Sequence, residues 1–222
     1  MNEKSIPHIT VDGPGGSGKG TISLLLAREL GWHFLDSGAL YRALAVAVQQ
    51  MKVSIEDEAG LATLAKDLPV AFHEFQVSLS GQDITHDLRS EQCGAAASKL
   101  AVFPAVREAL LSRQRAFLQP PGLIADGRDM GTVVFPEAPL KLYLEASLDE
   151  RAKRRYLQLK ERGQNVTLDK ILQEIAARDA RDKNRATAPL SPAKEAIIVD
   201  TTNMAIPEVF EKVMKIVRKT GL

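Results

Sequence analysis

The sequence predicts an α/β fold, a parallel sheet flanked by helices with a small inserted α+β subdomain. Three observations predict it. Apolar runs of strand length alternate with helically spaced stretches at both ends of the chain, the pattern that places helices on the faces of a parallel sheet. A glycine-rich turn, GPGGSGKGT (13–21), joins the first such run to the first helix. Between about 54 and 98 the rhythm breaks into short alternating segments of the kind that form small antiparallel strands.

The elements follow in order. IPHITVD (6–12) reads as a strand, and GTISLLLAREL (20–30) as a helix closed by Gly31 at C′. WHFLD (32–36) is a second strand and GALYRALAVAVQQMK (38–52) a second helix. SIEDEAGLATLAKDL (54–68) has helical spacing, with Ser54 and Asp57 as a capping box. VAFHEFQVSLSGQDIT (70–85) alternates as small strands that turn at Gly81-Gln82. Pro104 heads the helix PAVREALLSRQRAFL (104–118). GLIAD (122–126), LKLYLEA (140–146) and AIIVD (196–200) are the remaining core strands. LDERAKRRYLQLKERG (148–163), TLDKILQEIAARDARDKNRA (167–186) and IPEVFEKVMKIVRKT (206–220) are the remaining helices.

Composition bounds the function. The 222 residues suit one domain of generous size, and 45% hydrophobic content buries a real core. Lys and Arg number 29 against 28 Asp and Glu, so no global charge favours nucleic acid. Cys93 is the sole cysteine, which excludes an internal disulfide. The polar N-terminus has no signal-peptide core, and no apolar run approaches the roughly 20 residues that span a bilayer. The expectation is a cytoplasmic monomer with small-molecule partners, no nucleic acid and no membrane.

Strand, glycine loop and helix together form the setting of a phosphate loop, here spaced Gly13-x-x-x-x-Gly18-Lys19. Glycine lets the backbone turn its N–H groups inward, and the helix N-terminus adds its dipole. Lys19 supplies a full charge for the outer phosphates. The predicted nucleotide-binding set is Gly13, Pro14, Gly15, Gly16, Ser17, Gly18, Lys19, Gly20 and Thr21. The hydroxyl follows Lys19 by two residues instead of one, and this GKGT ending resembles nucleoside monophosphate kinases more than GTPases.

Other residues carry two readings from the sequence alone. Arg178, Arg181, Asp182 and Arg185 recur at i, i+3, i+4 and i+7 and share one face of a helix. They form either a solvated, salt-bridged surface or a cluster gathered on an anion. Arg151, Arg154 and Arg155 lie on adjacent turns, again either an exposed basic helix or a functional one. Asp126 ends an apolar run, as a metal-side carboxylate or as a turn residue. Arg128 and Asp129 follow at the carboxyl end of that strand, where open α/β sheets bind ligands. Ser37 either caps the second helix or meets a ligand. Ser98 and Arg107 read as ordinary surface. No histidine among His8, His33, His73 and His86 is placed as a base.

Three further stretches, DSGALYR (36–42), DGRDMGTVVFP (126–136) and RDARDKNRATAPL (178–190), resemble bacterial cytidylate kinase, and the resemblance covers nearly the whole chain. It implies a phosphate-loop kinase domain over 1–222, with an insert at about 60–98 that binds the nucleoside monophosphate and a short lid at about 151–166. It implies ATP as donor with Mg²⁺, CMP and dCMP as acceptors, and CDP or dCDP with ADP as products. By resemblance the catalytic residues are Lys19, Arg128, Asp129 and Arg154. Ser37, Arg42, Ser98, Arg107, Arg128, Asp129, Arg178, Arg181, Asp182 and Arg185 bind CMP. Ser98, Arg107 and Asp129 meet the base, Arg178 and Asp182 the sugar, and Arg42, Arg128 and Arg185 the phosphate. Thr21 and Asp126 serve the metal through water. The alternative is another small-molecule kinase or a nucleoside monophosphate kinase of AMP or UMP type. A guanine-nucleotide switch would need an NKxD motif, which is absent.

Overall fold

The computed structural model describes residues 6–73 and 76–222, without the side chain of His73. Residues 1–5, read as a polar approach to the first strand, and 74–75, inside the expected strand pair, lie outside the described residues. The chain divides into two compact units, Met1–Leu35 with Phe117–Leu222, and Asp36–Ala116. The stretch expected as an insert, about 60–98, falls inside the second unit.

The first unit is built on a five-stranded parallel sheet ordered β2-β6-β1-β7-β8. These strands are β1 (His8–Asp12), β2 (His33–Asp36), β6 (Leu123–Gly127), β7 (Leu140–Glu145) and β8 (Ile197–Asp200). Every residue of β1 and β6 is buried, as expected of central strands covered on both faces. Ile9, Val11, Ile124, Leu142 and Val199 pack with Ile22 and Leu26 of α1 (Lys19–Leu30) and with Val209, Val213 and Val217 of α8 (Ile206–Thr220). The sheet runs from β1 outward in both directions. Its switch point therefore lies at the carboxyl end of β1, where doubly wound sheets place ligands. Helices α6 (Leu148–Glu161) and α7 (Leu168–Lys183) share a smaller core of Ala152, Leu159 and Ile171.

The second unit holds α2 (Ser37–Met51), α3 (Glu58–Lys66), α4 (Glu91–Leu100), α5 (Pro104–Arg115) and an antiparallel sheet of β3 (Val70–His73), β4 (Gln76–Leu79) and β5 (Gln82–Asp83). Its core gathers Leu44, Leu61, Leu68, Leu79, Ile84, Leu100, Val106 and Leu110.

Three local expectations are corrected, and one helix appears that the sequence did not predict. The hairpin turns at Ser80-Gly81, because Leu79 pairs with Gln82 and both loop residues have positive φ, at 51° and 81°. Asp57 caps α3 by accepting from the Gly60 N–H at 2.9 Å, while Ser54 accepts from Glu56 in a separate turn, so no capping box forms. Helix α4 escaped the sequence reading because its segment EQCGAAASKL holds a glycine, three alanines and a single large apolar residue, Leu100. Ser90 nevertheless caps it, accepting from the Cys93 N–H at 3.1 Å. Helix α7 ends at Lys183, so Arg185 lies beyond it and off the predicted helical face. The Asp182 carbonyl accepts from Leu190 N–H at 2.7 Å and from Arg185 Nε at 3.3 Å, which turns the chain out of the helix.

Candidate active site

The loop between β1 and α1 has the backbone that its glycines predict. Gly13, Gly16 and Gly18 have φ of 146°, 82° and 87°, a region that side-chain-bearing residues avoid. At Gly13 a Cβ would overlap the Leu144 carbonyl oxygen of β7. Two hydrogen bonds close the loop on itself, Ser17 Oγ to the Pro14 carbonyl at 3.0 Å and Lys19 Nζ to the same oxygen at 3.4 Å. Lys19 is buried, and its ammonium lies 3.9 Å from the Asp126 carboxylate at the end of β6. A Cβ on Gly20 would come within 3.2 Å of the other Asp126 oxygen, so the first turn of α1 runs close against that carboxylate. Thr21 is exposed one residue on.

The loop is also held from outside. Arg151, which the sequence left between an exposed face and a lid, is buried beneath it. Its guanidinium donates to the Gly15 carbonyl at 3.1 Å, to the Ala146 carbonyl at 3.0 Å and to Asp179 at 2.6 Å. Thr201, after β8, donates to the Ser17 carbonyl at 3.0 Å. Arg154 donates to Glu150 at 2.8 Å and to the Thr201 hydroxyl at 3.2 Å. It remains near the loop, its Nη1 4.0 Å from where a Cβ on Gly18 would stand. Arg155 is spent on Gln158 at 3.2 Å. No sequence signal separates Arg151 from its neighbours, since only burial distinguishes them.

A cluster of arginines forms the other side of this unit's site. Asp182 is buried and takes Arg128 Nε at 3.1 Å, with Arg178 Nε at 4.0 Å. Burial pushes its pKa up, but the guanidiniums of Arg128, Arg178 and Arg185 outweigh that and hold the carboxyl below its usual range. Arg185 is buried and Arg181 half-buried on α7. Gly15 brings the two halves together. A Cβ there would stand 3.6 Å from both Arg128 Nη2 and Arg178 Nη1. The structure thus joins Lys19, Asp126, Arg128, Arg178 and Asp182 around the loop.

Asp129 is buried at the start of a π turn, Met130–Val134. Asp12, the last residue of β1, holds that turn and was not singled out in the sequence. Its carboxylate accepts from the N–H groups of Met130 at 2.9 Å and Gly131 at 2.8 Å. Burial raises its pKa to about 6 even though both amides oppose the shift.

The second unit carries four predicted residues. Asp36 caps α2 by accepting from the Ala39 N–H at 3.0 Å, so Ser37 is the first helical residue, buried, and not the cap. Arg42 donates to the Leu88 carbonyl at 2.6 Å and crosses Gly94, where a Cβ would come 3.1 Å from its guanidinium. Ser98 on α4 and Arg107 on α5 are buried, not surface residues. Arg107 donates to the Ala101 carbonyl at 3.3 Å.

No cluster of three or more His, Cys, Asp or Glu side chains among the described residues could hold a metal by itself. The oxygen atoms of Asp126 and Thr21 are hard donors of the kind that Mg²⁺ shares with phosphates and water, so the residues present fit such an ion. No helix among the described residues is long and apolar enough to cross a membrane.

The sequence profile of the family described as cytidylate kinase matches residues 9–219. A cytidylate kinase of Pseudomonas fluorescens is 57% identical over 220 residues, covering 96% of each chain. One of Shewanella loihica is 56% identical over 210 residues, covering 92% of this chain and 91% of that protein. A solved structure from Eubacterium ventriosum, an uncharacterised protein 10% identical, superposes with a TM-score of 0.54 over 96% of this chain and 99% of its own, which supports the α/β fold.

Proposed function

The chain belongs to the cytidylate kinase family and is an ATP-dependent kinase of CMP, and from that premise we propose how its residues divide the work. The reaction must bring two polyanions together, so charge neutralisation and positioning carry most of it. The loop amides of residues 13–21 and the α1 N-terminus hold the outer phosphates of ATP, with Lys19 neutralising the transferred group. Arg128 and Arg185 draw the CMP phosphate to the same place, and Arg178 and Asp182 bind the sugar, Asp182 also keeping Arg128 and Arg178 aimed. The observation that carries this reading is the approach of Arg128 and Arg178 to Gly15 within the phosphate loop.

A general base is unnecessary. The attacking group is a phosphate oxygen whose second pKa near 6 leaves it mostly ionised at neutral pH. Asp126 and Thr21 would hold Mg²⁺, in part through water, and the ion supplies Lewis-acid charge stabilisation at the phosphates. Arg154 stabilises the phosphoryl group in transit, and the segment at about 151–166 excludes water from it. Ser37, Arg42, Ser98 and Arg107, with Arg181 and Asp129, bind CMP and dCMP. The mixed donors and acceptors of Ser98, Arg107 and Asp129 suit cytosine, which presents an amino group beside acceptor atoms.

An ADP-release assay with Mg²⁺ and ATP, run separately on CMP, dCMP, UMP, AMP and GMP, tests the reading. CMP and dCMP give the highest kcat/KM. Lys19→Met lowers kcat roughly a hundred- to a thousandfold, the loss typical of one transition-state donor. Preference for AMP, or wild-type kcat in Lys19→Met, overturns the assignment.

A further inference from the structure

We propose that Asp12 is a positioning residue that locks the root of the phosphate loop to the segment bearing Arg128 and Asp129, and so sets how tightly CMP is held. This rests on the assignment of those two residues to the acceptor. Asp12 directly precedes Gly13, so any movement of its backbone moves the phosphate loop. Its two carboxylate oxygens accept from successive amides, Met130 N–H at 2.9 Å and Gly131 N–H at 2.8 Å. Those amides open the π turn that begins one residue after Asp129. One buried side chain therefore spans the two loops whose ligands must meet.

The chemistry selects a carboxylate. Two neighbouring N–H donors need two acceptors, and only an acid of this length offers both on one carbon. An asparagine would keep one acceptor and point an NH₂ group at the other amide. The turn has little freedom otherwise. A Cβ on Gly131 would come 2.9 Å from Thr10 Oγ1 on β1 and 3.3 Å from Ala193 Cβ. Contact with β1 thus occurs at Thr10 and at Asp12, while Arg128 turns back to Asp182 at 3.1 Å. Burial raises the Asp12 pKa while the two amides oppose the rise, so those amides are what favours the charged carboxylate at its buried position.

Steady-state kinetics with CMP and ATP varied in turn test it on the full chain, with thermal melts to establish that each variant is folded. Asp12→Asn raises the KM for CMP about fivefold or more, the effect of one lost hydrogen bond. It changes the KM for ATP less than twofold. Gly131→Ala, which shifts the same turn without touching the carboxylate, reproduces that split and serves where Asp12→Asn folds poorly. Asp129→Asn also raises the KM for CMP, and adding Asp12→Asn to it has less than the product of the two effects. If Asp129→Asn raises the KM while Asp12→Asn and Gly131→Ala leave it unchanged, the positioning role is overturned and the acceptor assignment stands. If Asp129→Asn leaves the KM for CMP unchanged, the acceptor assignment falls and the proposal with it. Equal changes in both KM values also overturn it.

Discussion

Asp12 and Asp182 are both buried carboxylates in the same compact unit, 2% and 4% exposed, and their pKa values are displaced in opposite directions. Asp12 is met by two backbone amides and sits near Asp129, and its pKa rises to about 6. Asp182 is met by the guanidiniums of Arg128, Arg178 and Arg185, and its pKa falls despite comparable burial. The two amides offset only part of the desolvation at Asp12, whereas the guanidiniums offset all of it at Asp182. The first arrangement fixes geometry, and the second balances positive charge that is gathered for a phosphate.

The largest test of that contrast is Asp182→Ala. It leaves the buried Arg185 and the half-buried Arg128 and Arg178 without their counter-charge, and the expected loss is about 3 kcal/mol of unfolding free energy by urea titration, the low end for a broken buried pair. A loss below about 1 kcal/mol would mean that the three arginines do not depend on the carboxylate. The pH dependence of stability comes next. The folded state binds a proton at Asp12 more tightly than the unfolded chain, so this stabilisation is present below pH 4. It is lost as pH rises through about 6, a change of about 3 kcal/mol. Asp182 acts with the opposite sign, stabilising above about pH 4 and losing that contribution as pH falls. Melts from pH 3 to 8 should show the alkaline-side loss vanish in Asp12→Asn and the acid-side loss shrink in Asp182→Asn. If both variants follow the wild-type curve, the contrast is broken. The smallest effect is that of Arg178→Ala. Its side chain is 30% exposed and stands 4.0 Å from Asp182, so stability should change by less than about 1 kcal/mol while the KM for CMP rises.

The two corners also differ in how far they could be read from the chain. The phosphate loop was legible because its signal is local, with glycines, a lysine, a strand and a helix contained within residues 8–30. The α/β class was legible for the same reason, through runs whose period shows over a single element. The partnership of Asp182 with Arg128 crosses 54 residues and arises only when β6 and α7 meet in three dimensions. Arg185 was placed on a helical face by its spacing, but nothing in that spacing reveals that α7 stops at Lys183. Asp12 looked like the end of a strand, and Arg151 like one basic residue among three. Their roles depend on burial against loops that the sequence leaves far away. Ser98 and Arg107 likewise carry no mark of their burial, because Ser98 stands among small side chains on α4 and Arg107 is one arginine among three on α5.

Gly13 opens the motif that announces a nucleotide, yet its own side of the residue faces the Leu144 carbonyl, where any side chain would collide with the backbone of β7. What forbids substitution there is the backbone conformation together with the neighbouring strand, and not the ligand. A descendant of this protein that had lost catalysis would be free to replace Lys19, whereas it would keep glycine at position 13 for as long as β1 and β7 remained adjacent. Retention of that glycine in a degenerate copy would therefore report an intact sheet, and the identity of residue 19 would report whether the enzyme is still alive.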